Sequence, residues 1–152
     1  MPVVERALHL VNTHTGEELD ARYFADGEYI PQQLGALDWL LRDYRTSDVL
    51  PIDARLFDLL YELALAATVE PRYEIISGYR SPATNAMLVA TTDGVSSHSL
   101  HMEGRALDVR LVGLPAIALR DLALARQAGG VGYYPVSDFV HLDTGSVRSW
   151  SG

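Results

Sequence analysis

Apolar residues recur along the chain at two periods, and the switching between them divides it into strands and helices. Residues 6–12, Arg-Ala-Leu-His-Leu-Val-Asn, and 18–24, Glu-Leu-Asp-Ala-Arg-Tyr-Phe, flank the turn-like Thr13-His14-Thr15-Gly16, which predicts a hairpin. Pro31 opens a segment with Leu34, Leu37, Leu40 and Leu41 at helical spacing, and Pro51 opens another with Leu56, Leu59, Leu60 and Leu63 on one stripe. The polar link over residues 45–50 is short, which favours two helices packed against each other over a boundary between domains. Tyr73-Glu74-Ile75-Ile76-Ser77-Gly78 reads as a strand ending at a glycine, and Ser81-Pro82 begins a helix containing Ala86, Met87 and Val89. After a polar loop over 91–98, residues 106–111 alternate, with Leu107, Val109 and Leu111 on the apolar face. A helix over 117–128 stops at Gly129-Gly130, and Val131-Gly132-Tyr133-Tyr134 and Phe139-Val140-His141-Leu142-Asp143 form two short strands about Pro135. Local hairpins mixed with surface helices predict an α+β fold, a central antiparallel or mixed sheet flanked by helices, over one domain of residues 1–152.

Composition narrows the class. Hydrophobic residues at 48% and charged residues at 21% match an ordinary globular protein and exclude disordered, collagen-like and coiled-coil chains. Twelve Lys plus Arg against twenty Asp plus Glu give a net charge of -8, with no basic run to neutralise phosphates, so nucleic acid is a poor partner. No apolar run reaches the roughly 18 to 20 residues that cross a bilayer, which predicts no transmembrane segment. Met1-Pro2-Val3-Val4-Glu5-Arg6 lacks the basic and apolar regions of a signal peptide. With zero cysteines there is no disulfide, nucleophilic thiol or thiolate site, and a metal would need His and carboxylate ligands.

Three polar side chains interrupt apolar surroundings: His101, Asp108 and His141. If a strand begins near Ala106, its period of two places Ala106 and Asp108 opposite the Leu107 and Val109 core face, so Asp108 points into a groove. Gly104 permits a tight turn that brings His101 back to the same place. On the last predicted strand Phe139, His141 and Asp143 share a face. Two His and one carboxylate form a plausible catalytic zinc set with a fourth position for water, whose pKa zinc lowers toward roughly 7. Such chemistry needs a carboxylate to pass the proton, for which Asp138 and Asp143 are candidates, and a cation for the oxyanion, for which Arg80 is. His98 lies three residues before His101 and competes as a ligand, ranked second as a rim residue; His9 and His14 read as structural or surface residues. Ser99 supports the loop by a hydrogen bond to the backbone or to Asp108, and alternation puts one of Tyr133 and Tyr134 in the groove.

Ser99 to Asp108 matches S-x-H-x-x-G-x-A-x-D, which resembles the signature of the zinc D-Ala-D-Ala peptidase superfamily, whose hedgehog/DD-peptidase fold is shared with the hedgehog signalling domain. Together with Ser77-Gly78-Tyr79-Arg80-Ser81-Pro82 and the stretch from Gly129 through Gly145, the chain is similar to the YcbK-like branch of murein endopeptidases. The resemblance implies zinc bound by His101, Asp108 and His141, and Arg80 stabilising the tetrahedral intermediate. It implies a general base three positions before the last histidine ligand, where Asp138 stands; Asp143 is the substitute, or orients an imidazole from behind. The implied activity is zinc-dependent hydrolysis of peptide bonds in peptidoglycan cross-links or stem peptides, in the periplasm or cell envelope. The alternatives are a non-catalytic zinc-containing wall-binding domain, and a dipeptidase or L-alanyl-D-glutamate peptidase on the same fold.

Overall fold

The computed structural model describes residues 4–152. Residues 1–3, part of the segment read for a signal peptide, lie outside the described residues. The predicted hairpin is β1 (Arg6–Asn12) and β2 (Glu18–Ala25), extended by a two-residue β3 (Glu28–Tyr29). Helices α1 (Pro31–Leu40) and α2 (Ala54–Ala67) follow, then β4 (Arg72–Ser77), α3 (Pro82–Thr91), β5 (Ala106–Leu111), α4 (Ala116–Arg126), β6 (Gly130–Tyr134), β7 (Phe139–Asp143) and β8 (Arg148–Ser151). The fold is α+β, and its eight strands form a mixed sheet in the order β3-β2-β1-β4-β5-β7-β6-β8. The β1–β4 and β6–β8 pairs are parallel and the other pairs antiparallel.

Proline and short polar caps set the helix starts. Pro31 is the first residue of α1, while α2 starts three residues after Pro51 because the Asp53 carboxylate accepts from the Arg55 amide at 3.0 Å and becomes its N-cap. Ser81 caps α3 by accepting from the Thr84 amide at 3.2 Å.

The core forms where the leucine stripes of α1 and α2 meet one face of the sheet. Leu37, Leu40, Leu56, Leu60 and Leu63 join Leu8, Leu10, Tyr73, Ile75, Leu107, Val109, Val140 and Leu142 in one buried cluster. The two helices differ from the predicted helical pair in their main neighbours: α1 lies chiefly on β2, and α2 on β1 and α4. Both stripes are apolar on the side that faces the sheet, so the sheet is the surface that buries them.

Candidate metal centre

The site lies on the opposite face of the sheet, along one register row. Ser77 of β4 pairs with Asp108 of β5, Asp108 with His141 of β7, His141 with Gly132 of β6, and Gly132 with Trp150 of β8. Leu107 and Val109 enter the core while Asp108 faces the other way, as the period-two reading predicts.

His101 reaches this row from a 3₁₀ turn, Leu100–Glu103, within a stretch for which the sequence predicted no regular element. Ser99 begins the turn by accepting from the His101 amide at 3.2 Å, the backbone option of the two considered for it. Gly104 ends the turn at φ 68°, with the position of an added Cβ only 2.5 Å from the Pro51 carbonyl oxygen. Both the dihedral and the close approach require glycine there.

His101, Asp108 and His141 each offer a ligand atom, all within 4.8 Å of one another, and all three residues are buried. His101 Nε2 lies 3.2 Å and His141 Nδ1 3.0 Å from the same oxygen, Asp108 Oδ1. The outward nitrogens face acceptors too: His101 Nδ1 is 2.8 Å from the Gly78 carbonyl oxygen, and His141 Nε2 is 2.8 Å from Asp143 Oδ2. A carbonyl or an ionised carboxylate can only accept, so each outward nitrogen carries a proton; in the neutral ring the inward nitrogen then presents a lone pair, and in the imidazolium it donates to Asp108 Oδ1. With neutral rings, two lone pairs and a carboxylate oxygen converge on one point, a donor set that suits a cation. Against the opposing effect of burial, Asp108 and Asp143 raise the pKa of His141 to about 9. Burial likewise opposes the depression of Asp108, which the two imidazoles hold well below the usual carboxylate range. Two inward imidazole nitrogens and one carboxylate, each imidazole fixed by an outer acceptor, fit a three-ligand zinc site.

Asp143 has no exposed side-chain surface, and both its oxygens are committed. Oδ1 accepts from the amides of Gly130 at 2.8 Å and Gly145 at 2.9 Å and from Arg148 at 3.0 Å. Oδ2 accepts from His141 and from the second Arg148 nitrogen, both at 2.8 Å. Burial works against ionisation, but these donors hold its pKa well below the ordinary value.

Arg80 joins the cluster from the β4–α3 connection. Its amide donates to the His101 carbonyl at 3.1 Å, and its guanidinium donates to Asn85 Oδ1 at 3.1 Å and Ser77 Oγ at 3.4 Å. Burial lowers its pKa, with the Asp108 charge acting in the other direction. Arg80, His101, Asp108, His141, Asp143 and Tyr134 all line one cavity of about 580 Å³, whose wall also includes His98. His98 is exposed and stands outside the ligand cluster.

Asp138 is not brought into the cluster. It occupies the β6–β7 turn at φ 58° with its side chain 70% exposed. Its carbonyl accepts from Arg110 Nε at 2.6 Å, and its carboxylate lies 3.9 Å from the same nitrogen. Arg110 is two residues beyond Asp108 on β5, so Asp138 stands over the rim of the site's face. His9 is held by Asp20 and Glu18, and His14 stacks on Tyr44, both away from the cluster.

Sequence reasoning missed Arg148 and Trp150. They belong to β8, Arg-Ser-Trp-Ser, which lacks an apolar alternation and is held by parallel pairing with β6. The indole lies across Gly132, where an added Cβ would be 2.6 Å from the ring, and packs on His141 with ring centroids 5.0 Å apart. Of the two tyrosines, Tyr134 lines the cavity, while Tyr133 packs against the core beneath Arg120.

A family model described as peptidoglycan L,D-endopeptidase MepK matches residues 2–150. Over 146 residues the chain is 46% identical to the peptidoglycan L,D-endopeptidase MepK of Escherichia coli strain K12, covering 95% of this chain and 80% of that protein. It is 40% identical over 148 residues to the probable peptidoglycan L,D-endopeptidase MepK of Haemophilus influenzae, covering 97% of this chain and 80% of that protein. No solved structure matches the chain.

Proposed function

Because the chain belongs to the peptidoglycan L,D-endopeptidase MepK family, we propose that its cavity hydrolyses the L,D-peptide bonds of peptidoglycan, with zinc held by His101, Asp108 and His141. The chain is a peptidoglycan-hydrolysing metallopeptidase, agreeing with the resemblance carried by its S-x-H-x-x-G-x-A-x-D segment. The observation that carries the metal assignment is the inward convergence of two imidazole lone pairs on the Asp108 carboxylate, each ring fixed from outside by an acceptor. When bound, zinc supplies Lewis acidity toward the scissile carbonyl and lowers the pKa of water.

The remaining roles belong to the chain's own side chains. Arg80, held in place by Asn85 and Ser77, directs its charge into the cavity, where it stabilises the oxygen that becomes negative as the carbonyl is attacked. Asp143, with both oxygens occupied and no exposure, holds His141 in the tautomer whose Nδ1 faces the cluster, and Arg148 fixes Asp143 in turn. Of the two carboxylates considered for proton transfer, Asp138 is the one in contact with solvent, so it takes up and passes the proton through water at the rim. A specific observation favours a second carrier, His98, which lines the cavity directly. The substrate class supports a location at the cell envelope, and no helix among the described residues is long and apolar enough to cross a membrane.

Digestion of purified sacculi followed by mass analysis of the released muropeptides tests this reading. The expected result is zinc-dependent cleavage at L,D bonds, lost in His101→Ala and His141→Ala together with the metal. Full activity in a protein stripped of zinc would overturn it. Asp138→Asn and His98→Gln, assayed side by side with zinc content, separate the carriers: the one that keeps zinc and loses turnover names the residue.

A further inference from the structure

Resting on the peptidase reading above, we propose that Tyr134 is a further catalytic residue, whose hydroxyl donates a hydrogen bond to the substrate carbonyl oxygen opposite Arg80.

One hydroxyl at the site is a donor with no acceptor among the described residues. Trp150 Nε1 lies 2.8 Å from the Tyr134 hydroxyl, and an indole nitrogen can only donate, so the tyrosine oxygen is the acceptor in that bond. The phenol's own O–H therefore points elsewhere, and it finds no acceptor among the described residues. The ring lines the same cavity as Arg80, His101, Asp108 and His141. A fixed, unspent O–H facing a cavity that must stabilise a developing oxyanion is the donor such a reaction uses.

The surroundings fix that O–H in place. Tyr134 stacks on Phe139 with ring centroids 4.6 Å apart and planes at 15°. Trp150 is positioned in turn by Gly132, which leaves room for the indole to lie across the sheet and reach His141. This alignment cuts the reorganisation needed when charge develops on the substrate. Alternation along β6 delivers Tyr134 to this face and sends Tyr133 to the core.

Tyr134→Phe keeps the stack on Phe139 and removes only the hydroxyl. The expected result is unchanged zinc content by elemental analysis, KM within about twofold, and kcat lowered by about 100-fold. A phosphinate pseudopeptide, with a tetrahedral phosphorus in place of the scissile carbonyl, should lose affinity by a comparable factor in calorimetry. The affinity of the cleaved product peptide should not change, which a merely structural tyrosine would not produce. Trp150→Phe, which leaves the phenol unaligned, should lower kcat by about 10-fold with the metal retained. A Tyr134→Phe protein with wild-type kcat, or with wild-type affinity for the phosphinate, overturns the inference and leaves the peptidase reading intact. Wild-type protein that releases no muropeptide from sacculi overturns the peptidase reading and this inference with it.

Discussion

Replacing Asp143 by asparagine separates a carboxylate that positions a ligand from one that carries protons. The change preserves shape and exchanges one acceptor oxygen for an NH₂ group. If the amide oxygen keeps the Gly130 and Gly145 amides at 2.8 and 2.9 Å, the NH₂ must face His141 Nε2 and an Arg148 nitrogen, each now 2.8 Å from Oδ2. Two donors then confront each other on the Arg148 side. On the other side, His141 can accept from the amide only by moving its proton to Nδ1, the nitrogen that faces Asp108. That tautomer cannot bind a metal, the same logic by which a misplaced imidazole proton disables a catalytic triad. Losing such a supporting contact costs about 10- to 100-fold in metal affinity. Arg148 is 42% exposed and stays solvated, so the stability cost is that of the mismatched hydrogen bonds, about 1 to 3 kcal/mol. A chelator-competition titration gives the zinc affinity, and muropeptide release measured against free zinc gives turnover. The expected outcome is weaker zinc binding, with activity recovering as free zinc is raised. Wild-type zinc affinity combined with turnover that no amount of zinc restores would refute a positioning role and make Asp143 a proton carrier.

Four further outcomes rest on the contacts around the site. Arg80→Lys keeps the charge but loses the planar fork held by Asn85 and Ser77, so kcat should fall about 100-fold while zinc content stays that of wild type, read by single-turnover assay and elemental analysis. Gly132→Ala puts a Cβ 2.6 Å from the Trp150 indole; the ring must move, which should shift its fluorescence to the red and cost about 1 to 3 kcal/mol by denaturant titration. In the zinc-free protein the His141 pKa is raised from 6.5 to about 9, so the stability it contributes is full below pH 6.5 and is lost as pH rises through about 9. Zinc must displace that proton, so zinc affinity should climb with pH by about tenfold per unit below pH 9, measured by competition titration. A flat profile would show that the imidazole enters the metal-free state uncharged.

Much of the fold was legible because the sequence signals were local. The leucine spacing of α1 and α2 and the alternation of 106–111 each reflect one element's burial, and each element formed where its pattern lies. The glycine pair at 129–130 does not end α4 as predicted: the helix stops at Arg126 with Gln127 in the left-handed conformation at its C-cap, and Gly130 opens β6. The ligand triad was legible for a related reason: polar side chains on apolar strands are costly, and the parity of β5 and β7 says which way they point. What was hidden is carried by pairing between distant segments. β8 has no apolar alternation of its own and exists because β6 offers it an edge. The 3₁₀ turn at Leu100–Glu103 depends on a serine cap and a glycine whose Cβ position is taken by Pro51, a residue about fifty positions earlier. Asp138 met the spacing rule relative to His141, yet the tight β6–β7 turn and Arg110 hold it at the rim, a placement no count along the chain contains.

The two kinds of residue divide the row across the sheet. Its centre, Asp108 and His141, supplies ligand atoms, and its far end, Gly132 and Trp150, supplies the surface against which His141 and Tyr134 are aligned. Gly132 connects the two: any side chain on it would push the indole off His141 and release the tyrosine from its donor. Glycine in the middle of a strand weakens the strand, by about 0.5 to 1 kcal/mol relative to alanine where no other constraint acts. The overlap of an added Cβ with the indole, 2.6 Å away, outweighs the gain alanine would bring, so at this residue glycine serves both the stability of the sheet and the alignment of the site.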